Sequence, residues 1–450
     1  MRRFDLIIIG AGSGNSIIGP EHDDWDVAIV ERGLFGGTCL NVGCIPSKMF
    51  VYTAEIADLA RRGPEFGLRT TFDGADWPAI RDRVFGRIDP IASGGEEYRQ
   101  SLDNVTVFRH DARFVGPKQL RVGDDVITAE RIVLAAGARA NVPDIPGIDT
   151  VGFDTSDTIM RIDELPERLI VLGGGYIAAE LGAVFGAFGS HVTYVLRGDA
   201  MLRDQDHDIS ARMTEIYSRR FPTHRNADIE RVSRDDDGDI VLELGTGVAV
   251  RGDRLLVATG RVPNGDQLGV AETGVALDAA GYVISDQYGR TGVDGIWALG
   301  DITNPVQLKH VANHEARIVA HNLVHPDDLR EMNHDLIPAA VFSHPQIGTV
   351  GLTERQCIDR GLDYTAHVQA YGSAAAGWAM EDTESVCKLI MDTATRRLLG
   401  AHVMGPQGPT LVQQLIQGMV FGLTVDQMAT GQYYIHPAMP EVIEQALLEL

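Results

Sequence analysis

Two hydrophobic patterns alternate along this chain. Short unbroken runs of aliphatic residues stop at glycine, and amphipathic stretches of helical period separate them. Phe4-Asp5-Leu6-Ile7-Ile8-Ile9 runs into Gly10-Ala11-Gly12-Ser13-Gly14, and Val27-Ala28-Ile29-Val30 then stops at Glu31. An unbroken apolar run predicts a strand buried on both faces, as in a parallel sheet, because a half-exposed strand would alternate. A glycine turn after such a strand predicts a helix N-terminus. Strand, turn, helix and acid-ended strand together form a dinucleotide-binding pattern. Its glycines admit a pyrophosphate, the helix N-terminus meets that charge, and Glu31 accepts hydrogen bonds from ribose hydroxyls. Asn15 stands where the third glycine of the pattern is expected, which predicts altered local packing.

The pattern recurs. Leu169-Ile170-Val171-Leu172 leads into Gly173-Gly174-Gly175-Tyr176, followed by a helical stretch and the run Val192-Thr193-Tyr194-Val195-Leu196. No acid ends this second unit; Arg197 follows, with Arg203 beyond it. Arginines pair with a 2′-phosphate that a carboxylate would repel, so the second unit predicts NADPH rather than NADH. Runs ending at Gly137 and Gly260 close the two units, and a further one ends at Gly300-Asp301.

This third glycine-ended run implies that the second unit is inserted into the first. From Ile337 the pattern mixes strand-like runs, such as Lys388-Leu389-Ile390-Met391, with helical ones. The fold expected is α/β, with two Rossmann-like domains and a C-terminal α+β domain. Boundaries fall at 1–152 and 266–335 for the first, split domain, 153–265 for the inserted one and 336–450 for the last. Asp235-Asp236-Asp237-Gly238-Asp239 reads as a solvated hairpin turn, and no metal site is expected.

Composition narrows the partners. Across 450 residues the formal charge is −24, which argues against nucleic acid or an anionic membrane as the main partner. The apolar run near the N-terminus is too short for a signal peptide. No stretch approaches the ~20 apolar residues of a membrane span, so a soluble cytoplasmic protein is expected. Lysine occurs only at positions 48, 118, 309 and 388, which gives weight to any lysine inside a motif.

Cys39 and Cys44 bracket four residues in the glycine-rich segment from Gly36 to Lys48. Such a pair can close a small, exchange-prone disulfide; structural cysteines or metal ligands are the alternatives, and C-x4-C lacks the second pair a zinc site needs. Near the C-terminus His436 precedes Glu441, a pairing suited to protonating a leaving thiolate. Cys357 and Cys387 read as buried, inert thiols.

Together these motifs resemble those of the FAD-dependent pyridine nucleotide–disulfide oxidoreductases, the family of glutathione reductase and dihydrolipoamide dehydrogenase. The resemblance covers essentially the whole chain. It implies an enzyme that binds FAD and NADPH and works as a homodimer, with His436 completing the partner chain's active site. Catalysis would fall to Cys39, Cys44, His436 and Glu441. The cofactors would be held by Gly10, Gly12, Gly14, Glu31, Thr38, Lys48, Gly137, Gly173, Gly175, Tyr176, Glu180, Arg197, Arg203, Gly260, Gly300 and Asp301. Within that set Lys48 and Glu180 form an ion pair beside the flavin and Tyr176 gates the nicotinamide. Cys44 is the thiol next to the flavin and Cys39 the one that attacks the substrate disulfide.

Within the family, Arg197 departs from the acid of NAD-linked dihydrolipoamide dehydrogenases, which remain the alternative together with related disulfide or quinone reductases. The chain ends Glu449-Leu450 without the terminal cysteine pair of mercuric reductases, and Cys39 is absent from soluble transhydrogenases. The segments Gly12-Ser13-Gly14-Asn15-Ser16-Ile17, Lys309-His310-Val311-Ala312-Asn313 and Gly431-Gln432-Tyr433-Tyr434 are similar to the actinobacterial branch that reduces mycothione, the disulfide of mycothiol.

Overall fold

The computed structural model describes residues 1–450. Its first sheet is built on Arg2–Ile9, whose apolar half is buried on both faces. This strand lies parallel to Val27–Val30 on one side and Asp125–Leu134 on the other, and Val105–Phe108 extends the sheet beyond Val27–Val30. The ten-residue strand Asp125–Leu134 has two neighbours on its far side. Its first half pairs antiparallel with Gln119–Val122, and its second half pairs parallel with Ile296–Ala298. The chain thus leaves this sheet after Leu134 and returns to it at Ile296.

Between those points lies a second parallel sheet, in the order Thr223–His224, His191–Val195, Arg168–Leu172, Arg254–Val257. The antiparallel strands Ile229–Arg234, Ile240–Leu244 and Ala249–Gly252 flank it, and the turn at Asp235–Asp239 is the expected hairpin, with Asp235 Oδ1 accepting from the Asp237 and Asp239 amides. Ala138–Ala140 and Arg261–Pro263 pair antiparallel where the chain crosses between the two sheets.

The C-terminal region is a five-stranded antiparallel sheet, ordered Ala339–Val341, Ile347–Gly351, Leu398–Met404, Val386–Asp392, Tyr364–Ala370. Position in this sheet is written in the side chains. Val386–Asp392 is an interior strand and buried almost throughout, whereas the edge strand Tyr364–Ala370 carries polar residues and has no fully buried side chain. Helices Gly408–Val420, Val425–Thr430 and Pro440–Leu448 bury their apolar faces in its core. Cys357 and Cys387 are buried, and desolvation raises both thiol pKa values.

Lys388, on the interior strand Val386–Asp392, is 1% exposed and reaches out of this region to Asp206 and Asp208 at the start of the helix His207–Arg220, and also pairs with Glu354. Burial alone would lower its pKa, but the three carboxylates win and raise it. No helix is long and apolar enough to cross a membrane.

Candidate functional site

A cavity of about 1350 Å³ runs past the C-terminal ends of both parallel sheets, where an open α/β sheet has its ligand crevice. All the residues expected to hold cofactors line it, and Cys39 and Cys44 line it with them. His436 and Glu441 do not.

The two dinucleotide turns begin alike. Gly10 has φ +107° and Gly173 has φ +126°, and a Cβ would stand 2.3 Å from the Ala135 carbonyl oxygen at the first and 2.2 Å from that of Ala258 at the second. Only glycine passes so close to the neighbouring strand.

Beyond this point they diverge. Gly175 caps the thirteen-residue α-helix Tyr176–Phe188, as expected. No α-helix follows Gly12: the chain makes only the five-residue 3₁₀ turn Ser13–Ile17, then a second short turn at Pro20–His22. The segment between the first two strands is interrupted by Gly19-Pro20, which cannot continue a helix. The helix N-terminus expected behind Gly12 is therefore absent, and a 3₁₀ turn of this length supplies little dipole to an anion.

The close-packing glycine is also displaced by one position. A Cβ on Gly14 would lie 2.6 Å from Ala135 Cβ and 3.1 Å from Ile8 Cγ2, so Gly14 performs the role expected of position 15. Asn15 is free to accept from Arg99, at 2.8 Å to its side-chain oxygen and 2.7 Å to its carbonyl, which ties the turn to the long helix Trp77–Gln100. Glu31 accepts from the amides of Ala11 and Gly33, each at 2.7 Å, and so braces the turn from the second strand.

Arg197 and Arg203 lie exposed at the other end of the cavity, and neither makes a salt bridge or a side-chain hydrogen bond. Two free guanidinium groups beside the second glycine turn are available to a phosphate dianion.

Between these ends stand the thiols and one ion pair. Cys39 sits in the short helix Gly37–Asn41 and Cys44 opens the nineteen-residue helix Cys44–Arg62. Both are thiols in this structure. The neighbouring Cys44 thiol, helped by the Lys309 ammonium, lowers the pKa of Cys39, and Cys39 in turn pushes Cys44 up. One turn along the same helix, Lys48 Nζ lies 3.7 Å from Glu180 Oε2 and 3.1 Å from the centre of the Phe342 ring. The other Glu180 oxygen accepts from the Phe342 amide at 2.8 Å. Burial pulls Lys48 down to about 8 and raises Glu180, so desolvation outweighs their mutual attraction.

Sequence reasoning missed a cluster on the opposite wall. Lys309 begins the helix Lys309–Val324 and donates to Ser13 Oγ at 2.8 Å; Ser13 Oγ donates to Asn313 Oδ1 at 3.1 Å. The scarcity of lysine was the available signal. Glu315, 1% exposed, accepts from the Gly300 amide at 2.6 Å and from Asn304 at 2.8 Å, which fixes the Gly300-Asp301 turn. Burial raises the Asp301 pKa, against the pull of Arg261 and Lys309.

On the C-terminal region, His436 Nδ1 lies 2.7 Å from Glu441 Oε1, with the imidazole 73% exposed.

The wall fits a flavin. Lys48 Nζ is buried with no hydrogen-bond partner, although an ammonium has three protons to donate, and an acceptor edge of the isoalloxazine ring would satisfy it. The Gly10–Gly14 turn, Glu31 and Asp301 would hold the rest of FAD, and Gly173, Gly175, Arg197 and Arg203 would hold NADPH.

A split dinucleotide fold, a second one set within it and a thiol pair between their glycine turns define a nucleotide-dependent thiol–disulfide oxidoreductase. The family described as pyridine nucleotide-disulphide oxidoreductase matches residues 4–316, and its dimerisation domain matches residues 337–447. The chain belongs to this family, and its cofactors are FAD and NADPH.

Over 463 aligned residues, covering 100% of both chains, it is 49% identical to the mycothione reductase of Mycobacterium tuberculosis strain H37Rv. It is 32% identical to a mercuric reductase of Staphylococcus aureus, over 99% of this chain and 82% of that one. Among solved structures, the HOCl-induced flavoprotein disulfide reductase RclA from Escherichia coli superimposes with a TM-score of 0.88 at 28% identity, covering 99% of each chain.

Proposed function

We propose that this enzyme reduces mycothione to mycothiol with electrons from NADPH, through the Cys39–Cys44 pair. The observation that carries the chemistry is the single cavity holding both dinucleotide turns, the two thiols and the Lys48–Glu180 pair. FAD, when bound, supplies two-electron transfer between the pyridine nucleotide and the cysteine pair.

The chain's own residues perform the rest. The Cys39 thiolate attacks one sulfur of the substrate disulfide, forming a mixed disulfide and expelling a thiolate that takes a proton from His436 of the partner subunit. Cys44 then attacks the Cys39 sulfur, releases the second substrate thiol and restores the Cys39–Cys44 disulfide. Glu441 holds Nδ1 of that imidazole and leaves Nε2 to carry the proton.

Sharing of the site between chains is supported by where the pair stands. His436 lies outside its own chain's cavity, and Tyr433 and Ile435 beside it are 103% and 73% exposed, a face suited to cover by a second copy. The residues between about 153 and 265 serve as the NADPH domain, 1–152 with 266–335 as the FAD domain and 336–450 as the interface domain, in a soluble cytoplasmic homodimer.

Identity of 49% over the full length supports mycothione as the substrate. The charge of −24 adds to it, since an acidic surface disfavours the carboxylates of glutathione disulfide more than a sugar-based disulfide without them. Turnover of mycothione, glutathione disulfide and lipoamide with NADPH tests this directly: mycothione is expected to be far the best, and equal rates would overturn the assignment. Cys44→Ser is expected to abolish reduction while flavin remains bound.

A further inference from the structure

The first dinucleotide turn lacks the device that its fold ordinarily uses to hold a pyrophosphate, because a five-residue 3₁₀ turn replaces the α-helix. We propose that Lys309 supplies the missing positive charge: its ammonium, delivered across the cavity by the helix Lys309–Val324, is a pyrophosphate-positioning group for FAD.

Three observations converge. Lys309 Nζ is already seated on the turn itself, 2.8 Å from Ser13 Oγ, between Gly12 and Gly14. Ser13 is held by its second bond to Asn313, one turn along the same helix, so helix and glycine turn form one unit despite the 296 residues between Ser13 and Lys309. The helix also begins at the cavity wall with no side chain capping its first amides and no acid in its first turn. Its sixteen residues place a full helix N-terminus opposite the turn that has none. Lys309 carries no carboxylate partner, whereas Lys388 has three. An unpaired cation on a glycine turn that approaches an anionic cofactor is the charge such a site requires.

This assignment rests on the flavoprotein reading but fails separately from it. The test uses full-length protein stripped of flavin and titrated with FAD or riboflavin, followed by flavin fluorescence. Wild-type protein that bound neither would overturn the flavoprotein reading, and this proposal with it. Lys309→Met is expected to raise the Kd for FAD roughly tenfold or more, the loss of about one charge-assisted hydrogen bond, and to leave riboflavin, which has no phosphate, within about twofold. Lys309→Gln, a polar neutral replacement, keeps the experiment decisive where methionine impairs folding, and is expected to show the same split. Lys309→Arg is expected to recover much of the FAD affinity. An unchanged Kd for FAD, or an equal loss for FAD and riboflavin, would overturn the proposal.

Discussion

Lys48 and Glu180 face each other at 3.7 Å, on helices Cys44–Arg62 and Tyr176–Phe188 that belong to different nucleotide-binding units. Their contact joins the two units at the point where the thiols stand. It is also under electrostatic tension, since burial disfavours the charged form of both partners.

That tension has a pH signature. Burial lowers the Lys48 pKa from its ordinary value to about 8, so its charge is lost as pH rises through about 8. NADPH-dependent turnover is expected to fall along that limb. Lys48→Arg, which stays protonated, is expected to lose the limb, and pH–rate profiles of the two enzymes check it. The effect on folding has the opposite sign. Since the folded pKa lies below the unfolded one, protonated Lys48 costs stability below pH 8 and the cost disappears toward the unfolded value.

Arg197 and Arg203 should set coenzyme choice. Charge-assisted hydrogen bonds contribute about 1.5–3 kcal/mol each. Arg197→Ala with Arg203→Ala is expected to raise KM for NADPH by more than about 100-fold and to leave KM for NADH within about threefold. Steady-state kinetics with both coenzymes measure the split, and equal changes would show that these arginines do not read the 2′-phosphate.

Complementation tests the shared site. His436→Ala and Cys39→Ser enzymes are each expected to be inactive. When they are unfolded and refolded together, about a quarter of wild-type turnover is expected, because about half of random dimers are mixed and each of those holds one intact site. Recovery of no activity from mixed dimers of confirmed composition would mean that each chain uses its own histidine.

Gly14→Ala tests the displaced packing position. The new methyl would meet Ala135 Cβ at 2.6 Å and Ile8 Cγ2 at 3.1 Å. A destabilisation of about 1–3 kcal/mol with loss of bound flavin is expected from such crowding. Asn15→Gly creates no clash but leaves Arg99, 8% exposed, without one partner, so its effect is expected to be a separate, flavin-independent loss of stability. Denaturant titration with a flavin assay distinguishes the two.

Local physics determined much of this molecule from its sequence. Continuous apolar runs can be satisfied only between two covered faces, and glycine at positions 10 and 173 reports a backbone passing 2.2–2.3 Å from where a Cβ would stand. These facts reside in neighbouring residues, and so did the thiol pair, the return of the chain at Ile296 and the contact of His436 with Glu441.

Other features depend on distances in space rather than along the chain. The segment after Gly12 makes only a 3₁₀ turn, although the link between its two parallel strands is nearly as long as the one that holds the helix Tyr176–Phe188, so link length and glycine pattern did not decide it. Ser13 and Lys309 meet across 296 residues, and Lys388 finds Asp206 across 182. No periodicity encodes such pairs: a hydrogen bond is decided by where packing of the cores brings two side chains, and that sum over the whole chain exists only in the folded structure.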